Sequence, residues 1–240
     1  MKLFWHNENN FGDNLSPIIL QHFIAEKVER AKRNDTGKML STGSIFGALR
    51  ENDIVWGTGM IKNGKVKAPR GVKIIAVRGK LTKQNLESVD VPEVYGDPAL
   101  LLPIIYNPKV EVKYEHGLIL HYTDLDNEFV KDFSKHKNRI VINVRDNWQK
   151  IIREILSCKG IISSSLHGIV VAEAYNKKVG WIEINKKIVG GNFKFNDYFS
   201  GTERGIEEPA EIGQTIKILP KIENLKKIQY RLLSNLYDKI

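Results

Sequence analysis

The chain has 240 residues with 42% hydrophobic side chains, which is enough for one large or two small folded domains and argues against a disordered tail. No stretch approaches the ~18 apolar residues that cross a bilayer, and the start, MKLFWHNENN, lacks the apolar core of a signal peptide. The single cysteine, Cys158, excludes an internal disulfide and a multi-cysteine zinc site. These features predict a cytoplasmic protein.

The net charge of +9 is concentrated in one basic window. Between Ile54 and Leu86 there is no acidic residue, while eight cationic ones occur: Lys62, Lys65, Lys67, Arg70, Lys73, Arg78, Lys80 and Lys83. Such a field favours an anionic partner, which could be nucleic acid, a phosphorylated substrate or a membrane surface. A solvated lysine-rich loop explains the same pattern, and the sequence leaves both interpretations open.

In the first half, a short strand at 2–6 precedes a helix from about Pro17 to Glu26, with Asn14 or Ser16 as its cap. Strands are then predicted at 38–42, 53–57 and 72–77, followed by a helix at 79–88. The proline-rich segment YGDPALLLPIIYNP marks the end of a first domain, which we place at residues 1–109.

The second half, residues 110–240, alternates regularly between strands and helices. Strands are predicted at 116–122, 139–144, 160–164 and 179–184, and helices at 125–136, 147–158, 166–176 and 221–240. Alternation of this kind with apolar strands predicts a parallel sheet covered on both faces. The fold class is therefore α/β, with two Rossmann-like domains and a cleft between them.

Polar residues and glycines collect where the predicted strands end, which is where open α/β sheets bind ligands. They are Gly12, Asp13 and Asn14 after the first strand, then Gly57, Thr58, Gly59, Arg78, His121, Arg145, and Ser163 to Gly168. We expect Arg78, His121, Arg145 and His167 to surround a small anion at a helix N-terminus. Simpler interpretations remain open: a salt bridge between Arg145 and Asp146, and a capping role for Ser164 or Ser165.

Motifs for metal and hydrolase chemistry are missing from the sequence. There is no HExxH or DxDxDG spacing for a metal ion and no GxSxG elbow of a serine hydrolase. We therefore expect no metal site. His167, in the stretch IISSSLHGIVV, is either an ordinary residue of a first helical turn or a proton donor that works near neutral pH.

Five sequence blocks together resemble the polysaccharide pyruvyl transferase family, especially its short bacterial exopolysaccharide members. The blocks are NFGDNLSPIIL, GSIFGALRENDIVWGTGM, AVRGKLT, VYGDPALLLP and SSSLHGIVVAEAY, and the resemblance extends from about residue 7 to 196–199. It implies a fold like that of the B class of glycosyltransferases (GT-B), phosphoenolpyruvate as donor and a pair of sugar hydroxyls as acceptor. The product would be a cyclic pyruvate ketal, formed without a metal or redox cofactor.

The resemblance also implies residue roles on the donor side. The family's S-x-R-x-H-G pattern belongs to the donor site and matches here at Ser163, Leu166, His167 and Gly168, which makes His167 the expected acid. Ser165 stands where many relatives have arginine. Another cation has to take over the contact with the donor's carboxylate or phosphate, and Arg145, His121 and Arg78 are the candidates.

The acceptor side is assigned from charge and position. Asp13 is the first choice for a base that activates a sugar hydroxyl, although it can equally cap a helix, and Asp97 is the second choice unless it only shapes the hinge between domains. Gly12, Asn14, Gly57, Thr58, Gly59 and Arg78 would line the cleft beside them. The basic window at 62–83 fits an acceptor linked to a lipid pyrophosphate at the anionic inner membrane surface.

Two other classes of function compete with this prediction. A glycosyltransferase that uses a nucleotide sugar shares the expected fold, and Glu173 would be its candidate for holding a ribose. A non-enzymatic protein that binds polyanions would explain the charge. Nucleic acid is not the expected partner, because the basic window has few interleaved aromatic residues for base stacking, with Trp56 the nearest.

Overall fold

The computed structural model describes residues 1–6, 11–121, 124, 127–184 and 189–239. Predictions that involve Asn10, Tyr122, Thr123, residues 125–126 or Ile240 fall outside these ranges.

Twelve strands lie in the described part of the chain. They are β1 (Lys2–Phe4), β2 (Glu29–Arg30), β3 (Met39–Leu40), β4 (Ile54–Trp56), β5 (Val66–Lys67), β6 (Lys73–Ala76), β7 (Leu86–Glu87), β8 (Tyr114–Ile119), β9 (Arg139–Val141), β10 (Cys158–Ser163), β11 (Lys178–Glu183) and β12 (Ala210–Glu211).

The helices in the same ranges are α1 (Phe11–Phe23), α2 (Lys80–Gln84), α3 (Leu102–Ile105), α4 (Glu128–Ser134), α5 (Trp148–Leu156), α6 (Leu166–Ala174), α7 (Phe193–Gly201) and α8 (Leu225–Lys239). Two short 3-10 helices occupy Phe46–Ala48 and Pro98–Leu101.

The strands form two five-stranded parallel sheets, one from each half of the sequence. The first has the order β2-β1-β3-β4-β6 and the second the order β12-β11-β10-β8-β9, while β5 and β7 make a small parallel pair of their own. Every pairing within the two sheets is parallel, which confirms the α/β class with parallel sheets. Because the strands within each sheet run parallel, their carboxyl ends lie along one edge of that sheet.

The helix predicted from about Pro17 begins earlier, at Phe11, so that Pro17 lies inside α1 and Asp13 lies in its first turn. The prediction was wrong because the proline was read as a start position. Burial decides the boundary instead: Phe11, Leu15 and Ile19, spaced four residues apart, form one buried face that holds the first turn against the sheet. Ser16 is not a cap but a buried residue whose hydroxyl donates to the carbonyl of Thr42.

Two further element predictions need correction. The helix predicted at 79–88 ends at Gln84, because Leu86 and Glu87 leave it to pair with β5. Cys158 is the first residue of β10 rather than the end of a helix, although it is fully buried as expected. Burial raises the pKa of its thiol to about 11, since the charged thiolate is disfavoured in an apolar environment.

The two halves share one hydrophobic core. The largest buried cluster includes Leu3 and Leu15 from the first half together with Ile119 and Ile169 from the second. Helix α6, whose residues are all buried, lies at its centre and packs against the 98–101 helix and α1. A helix hydrophobic on every side is the expected occupant of such a position.

Helices α7 and α8 return to the first half of the molecule. Helix α7 packs against α2, and α8 packs against β6 and the 98–101 helix. The indole N–H of Trp56 donates to the carbonyl of Leu232, and the side chain of Gln229 donates to the carbonyl of Leu100. Helices α7 and α8 therefore connect the second half of the chain to the first.

Candidate functional site

The joint between β10 and α6 is built by buried serine hydroxyls. Ser163 donates to the carbonyl of Ile119 on β8 and accepts the N–H of Ser165, which fixes the turn. Ser164 donates to Asp124 and accepts the N–H of His121. Ser165 occupies the N-cap position, but no side-chain capping bond is formed there. The first two serines therefore connect the end of β8 to the end of β10, and their hydroxyls are occupied.

The first turn of α6 supplies backbone N–H groups at this joint. The first helical bond runs from Ile169 to Ser165, so the N–H groups of Leu166, His167 and Gly168 precede it. Gly168 packs so closely that an added Cβ would lie 2.3 Å from the Ser163 hydroxyl oxygen. The arrangement brings a helix N-terminus, with its partial positive charge, to the edge of the second sheet.

His167 extends from this turn toward an acidic residue of the first half. Its Nε2 lies 3.7 Å from the Oδ2 of Asp97, and the two residues are 9% and 0% exposed. Neither of these two atoms has a hydrogen-bond partner among the described residues. The other carboxylate oxygen of Asp97 accepts the N–H of Ala99 and caps the 98–101 helix. Buried polar atoms without partners are rare, and they mark a place where a ligand or a proton transfer can supply the missing contact.

Helix α1 closes the other side of the imidazole. A Cβ added to Gly12 would lie 1.9 Å from the Nδ1 of His167, so only glycine allows this approach. The N–H of Phe11 donates to the carbonyl of Val144, just beyond β9. The start of α1 thus contacts the segment after β9 and the first turn of α6, so Gly12 of the first half and His167 of the second are neighbours.

Arg78, predicted to bind an anion, is instead enclosed within the protein. Its side chain is fully buried, and the guanidinium donates to Asp197 at 2.9 Å, to the Ser44 hydroxyl at 2.7 Å and to the carbonyl of Met60 at 2.6 Å. An added Cβ on Gly59 would lie 2.5 Å from both Arg78 Cζ and Asp197 Oδ2. Gly59 therefore provides room for a buried ion pair that joins the two halves.

Gly57 and Thr58 shape the neighbouring loop. Gly57 has φ +85° and lies against Pro98, with an added Cβ only 2.3 Å from the proline Cδ. The Thr58 hydroxyl donates to the carbonyl of Gly43 and accepts the N–H of Ile45. Both contacts are internal to the first half, and the packing of Gly57 on Pro98 helps to position Asp97.

Asp13 and Asn14 lie in the first turns of α1 and are partly buried. A Cβ added to Gly43, whose φ is +109°, would lie 3.4 Å from the Oδ1 of Asp13. This places Asp13 beside the loop that follows β3 and one residue from Gly12, near the His167 ring.

His121 and Arg145 differ in their surroundings. His121 is partly buried at the end of β8, and its carbonyl accepts the N–H of Asp124. Arg145 is exposed after β9, and its backbone N–H donates to Asn143. Asp146 forms its ion pair with Lys150, at 2.6 Å, rather than with Arg145.

Lys194, on the first turn of α7, is a partly buried cation that the sequence analysis did not single out. Burial lowers the pKa of its ammonium to about 8, the charge of Arg78 lowers it further, and the carboxylates of Asp13 and Asp124 oppose the shift. Its Nζ lies 5.2 Å from the Phe195 ring centroid. Arg78 and Asp13 belong to the first half and Asp124 to the second, so the charges that act on Lys194 come from both halves.

The basic window divides into buried and exposed parts. Arg78 is neutralised by Asp197, and Lys83 forms an ion pair with Glu93. Other members line a groove of about 370 Å³ together with apolar side chains. Its apolar residues are Phe46, Leu49, Met60, Ile61 and Val66, and its lysines are Lys62, Lys65 and Lys67.

Glu173, the candidate for holding a ribose, is occupied within the protein. Its carboxylate accepts the guanidinium of Arg204 at 2.5 Å and the hydroxyl of Tyr198 at 2.8 Å. This buried arrangement raises the pKa of Tyr198, through burial first and then the nearby carboxylate. Both partners of this carboxylate belong to the second half of the chain.

Metal-binding clusters and membrane-spanning helices are both absent from the described ranges. No group of three or more His, Cys, Asp or Glu residues is arranged there to hold a metal ion. No helix in those ranges is both long and apolar enough to cross a membrane.

Comparison with known proteins gave one family and one relative of note. A family model described as polysaccharide pyruvyl transferase matches residues 8–186. An uncharacterized protein of Acanthamoeba polyphaga mimivirus is 32% identical over 211 residues, which cover 81% of this chain and 72% of the relative. No solved structure matches the chain.

Proposed function

Because the chain belongs to the polysaccharide pyruvyl transferase family, we propose that it moves the pyruvyl unit of phosphoenolpyruvate onto two hydroxyls of a saccharide. Family membership supports the coarser statement, a transferase acting in polysaccharide biosynthesis. The finer proposal rests on one observation: His167 Nε2 and Asp97 Oδ2 are buried 3.7 Å apart, and neither has a hydrogen-bond partner in the described residues.

The proposed reaction needs a proton donor at the donor's methylene carbon. His167 gives a proton to that carbon, and the enol-phosphate carbon becomes an oxocarbenium centre that the first sugar hydroxyl attacks. The second hydroxyl then displaces phosphate from the same carbon, so two C–O bonds form, one C–O bond breaks and the products are a ketal and phosphate. Asp97 stabilises the protonated imidazole before the transfer and holds its ring in position.

The donor would lie at the start of α6. A carboxylate or phosphate is favoured there because the N–H groups of Leu166, His167 and Gly168 precede the first helical bond. Ser165 and His121 border the same place, whereas Ser163 and Ser164 shape it through their internal bonds. Arg145, exposed after β9, stays a candidate for contact with a donor entering from solvent.

Asp13 is proposed as the base for the acceptor hydroxyl. It lies one residue from the Gly12 that packs on His167, and its carboxylate approaches the loop after β3. A base on α1 and an acid on α6 would face the reacting carbon from opposite halves of the molecule. Asn14, Gly57, Thr58 and Gly59 would frame this acceptor side.

We further propose that the two sheets are two domains of GT-B type, 1–109 and 110–240, with the active site between them. The lysine-lined groove fits an acceptor whose saccharide is carried on a lipid pyrophosphate, since it combines apolar side chains with lysines. Met60, which lines the groove, also accepts a hydrogen bond from Arg78 at its carbonyl. Peripheral contact with an anionic inner membrane surface would follow from the same lysines.

Product analysis tests the proposal. Protein, phosphoenolpyruvate and a panel of saccharides are incubated, and both phosphate release and saccharide mass are followed. We expect release of phosphate that depends on a saccharide, together with a product heavier by one pyruvate less one water. In deuterium oxide the new methyl group should carry one deuterium. Phosphate release without any ketal would show hydrolysis and overturn the proposed transfer.

A further inference from the structure

The position of Asp97 depends on the residues on either side of it. Gly96 donates its N–H to the carbonyl of Val77, which ties the chain to the segment after β6. On the other side of Asp97, Pro98 lies so close to Gly57 that a Cβ added to this glycine would be 2.3 Å from the proline Cδ. The same added Cβ would lie 2.9 Å from the carbonyl oxygen of Gly96. The loop after β4 therefore contacts the chain both before and after Asp97.

Helix α8 packs against the residue directly before Asp97. A Cβ added to Gly96 would lie 2.7 Å from the Cγ2 of Ile228 and 3.1 Å from the Cδ1 of Leu232. Both side chains are buried, and Gly96 has φ +138°, a conformation that favours glycine. The branched methyl of Ile228 is therefore the nearest atom to this position outside the adjoining residues.

Two hydrogen bonds fix α8 to the segments around Asp97. The indole N–H of Trp56, at the end of β4, donates to the carbonyl of Leu232 at 3.0 Å. The side chain of Gln229 donates to the carbonyl of Leu100 at 2.7 Å, in the short helix that Asp97 caps. Because these bonds hold the middle of α8, the contact between Ile228 and the chain before Asp97 is set by fixed neighbours.

The carboxylate of Asp97 is held firmly at only one of its two oxygens. Its Oδ1 accepts the N–H of Ala99 at 3.0 Å, whereas Oδ2, which lies 3.7 Å from the Nε2 of His167, has no hydrogen-bond partner among the described residues. The position of Oδ2 is therefore set by the cap and by the backbone that Gly96 and Pro98 provide. A shift of about 1 Å at a reacting group can cost about 100-fold in rate.

We propose that Ile228 is a positioning residue for the reaction: its Cγ2 methyl supports Gly96 and thereby holds Asp97 at the distance from His167 that proton transfer needs. This inference rests on the proposed function, because it assigns Ile228 a part in the same acid–base pair. Ile228 acts through the backbone and does not touch the substrate. It lies beyond residue 186, where the match to the family model ends.

Steady-state kinetics of saccharide-dependent phosphate release in four proteins tests the proposal. They are the unaltered chain, Ile228→Val, which keeps the Cγ2 methyl, Ile228→Leu, which keeps the number of carbon atoms but lacks that methyl, and Leu236→Ile. The last is the matched control, because it makes the reverse exchange at a buried residue of the same helix. Melting temperatures are measured in parallel, and all assays are run well below the lowest of them.

The expected result is a loss of kcat that follows the methyl group. We expect Ile228→Leu to lower kcat about 10-fold and to leave KM for phosphoenolpyruvate within about 2-fold, because a misplaced acid–base pair weakens the chemical step rather than donor binding. Ile228→Val and Leu236→Ile should keep kcat close to that of the unaltered chain. The two isomeric exchanges should lower the melting temperature by similar amounts, since both disturb the same core.

The outcomes separate this role from the proposed function. If the unaltered chain releases no phosphate in the presence of saccharides, the proposed function fails and this inference fails with it. If the unaltered chain is active and Ile228→Leu keeps its kcat, only the positioning role is overturned. Equal losses in Ile228→Leu and Leu236→Ile, a loss in Ile228→Val, or a change in KM alone would also overturn it. A loss of kcat confined to Ile228→Leu supports it.

Discussion

Two buried acid–base pairs join the halves of this protein, and they differ in how completely their hydrogen bonds are satisfied. In the first, Arg78 and Asp197 lie 2.9 Å apart with further bonds to Ser44 and Met60. In the second, His167 and Asp97 lie 3.7 Å apart, and within the described residues the two facing atoms have no hydrogen-bond partner. Each pair connects a residue of the first half of the chain to one of the second.

The difference between the two pairs suggests that one serves stability and the other function. A satisfied buried pair resists change, because removing one partner leaves the other charge uncompensated. An unsatisfied pair contributes little to stability but is ready to exchange a proton or bind a ligand. We assign the first pair to holding α7 and the second to chemistry, and four predictions test that division.

The largest expected effect is on the satisfied pair. Arg78→Met should lower the free energy of unfolding by about 3–5 kcal/mol, since Asp197 would remain buried without its cation. Urea denaturation measures it. The matched control is Lys83→Met, which breaks an exposed pair with Glu93 and should cost less than about 1 kcal/mol. Equal losses in both variants would contradict the assignment.

Replacing Asp97 in the unsatisfied pair should have the opposite effect, because stability is kept while activity is lost. Asp97→Asn keeps the cap on Ala99 through its remaining side-chain oxygen, so we expect the free energy of unfolding to stay within about 1 kcal/mol. Saccharide-dependent phosphate release should fall about 100-fold or more, because the imidazole loses its carboxylate. A variant that unfolds easily yet retains its activity would reverse the roles of the two pairs.

The close approach of α1 to His167 sharpens the comparison further. Gly12→Ala places a methyl group against the imidazole, whose Nδ1 would be 1.9 Å away, and so the ring must move. We expect at least about a 10-fold loss of activity, since a shift of ~1 Å can cost about 100-fold. The control is Gly205→Ala, which meets nothing within 4 Å. Unchanged activity in Gly12→Ala would mean that the ring position is unimportant.

The smallest expected effect is the change in melting temperature when Lys194 is replaced by methionine. The pKa of this lysine is lowered in the folded state from 10.5 to about 8, so its charge opposes folding below about pH 8. Lys194→Met should therefore raise the melting temperature by about 2–4 °C at neutral pH, which corresponds to about 1 kcal/mol in a chain of this size. The difference should shrink as pH rises toward 10.5. A lower melting temperature would indicate a structural role.

The fold was predictable where the pattern is local. The apolar strands β4 and β6 lie within predicted ranges, and β10 overlaps the range predicted at 160–164, because a parallel strand buried on both faces shows a continuous apolar run. The start of α1 was not predictable, since burial of Phe11 against a distant sheet outweighed the proline at 17. Helix α2 was predicted too long because Leu86 and Glu87 instead form β7 and pair with Val66 and Lys67 of β5, which lie far earlier in the chain.

The candidate site was predictable only in part. A histidine at a strand–helix joint is either an ordinary residue of a first helical turn or part of a ligand site, and the structure places Gly12 and Asp97 beside it. No local pattern shows that Arg78 forms an ion pair with Asp197, because the two are 119 residues apart. Lys194 was not singled out, since the charges of Arg78, Asp13 and Asp124 that act on it come from distant parts of the sequence.

Titration of phosphoenolpyruvate into the unaltered chain and into His167→Ala, with a nucleotide sugar as control, tests the central claim most directly. The account predicts saturable binding of phosphoenolpyruvate that weakens about 10-fold or more in His167→Ala and no binding of the nucleotide sugar. Binding of the nucleotide sugar without binding of phosphoenolpyruvate, or equal binding of phosphoenolpyruvate by both proteins, would contradict it.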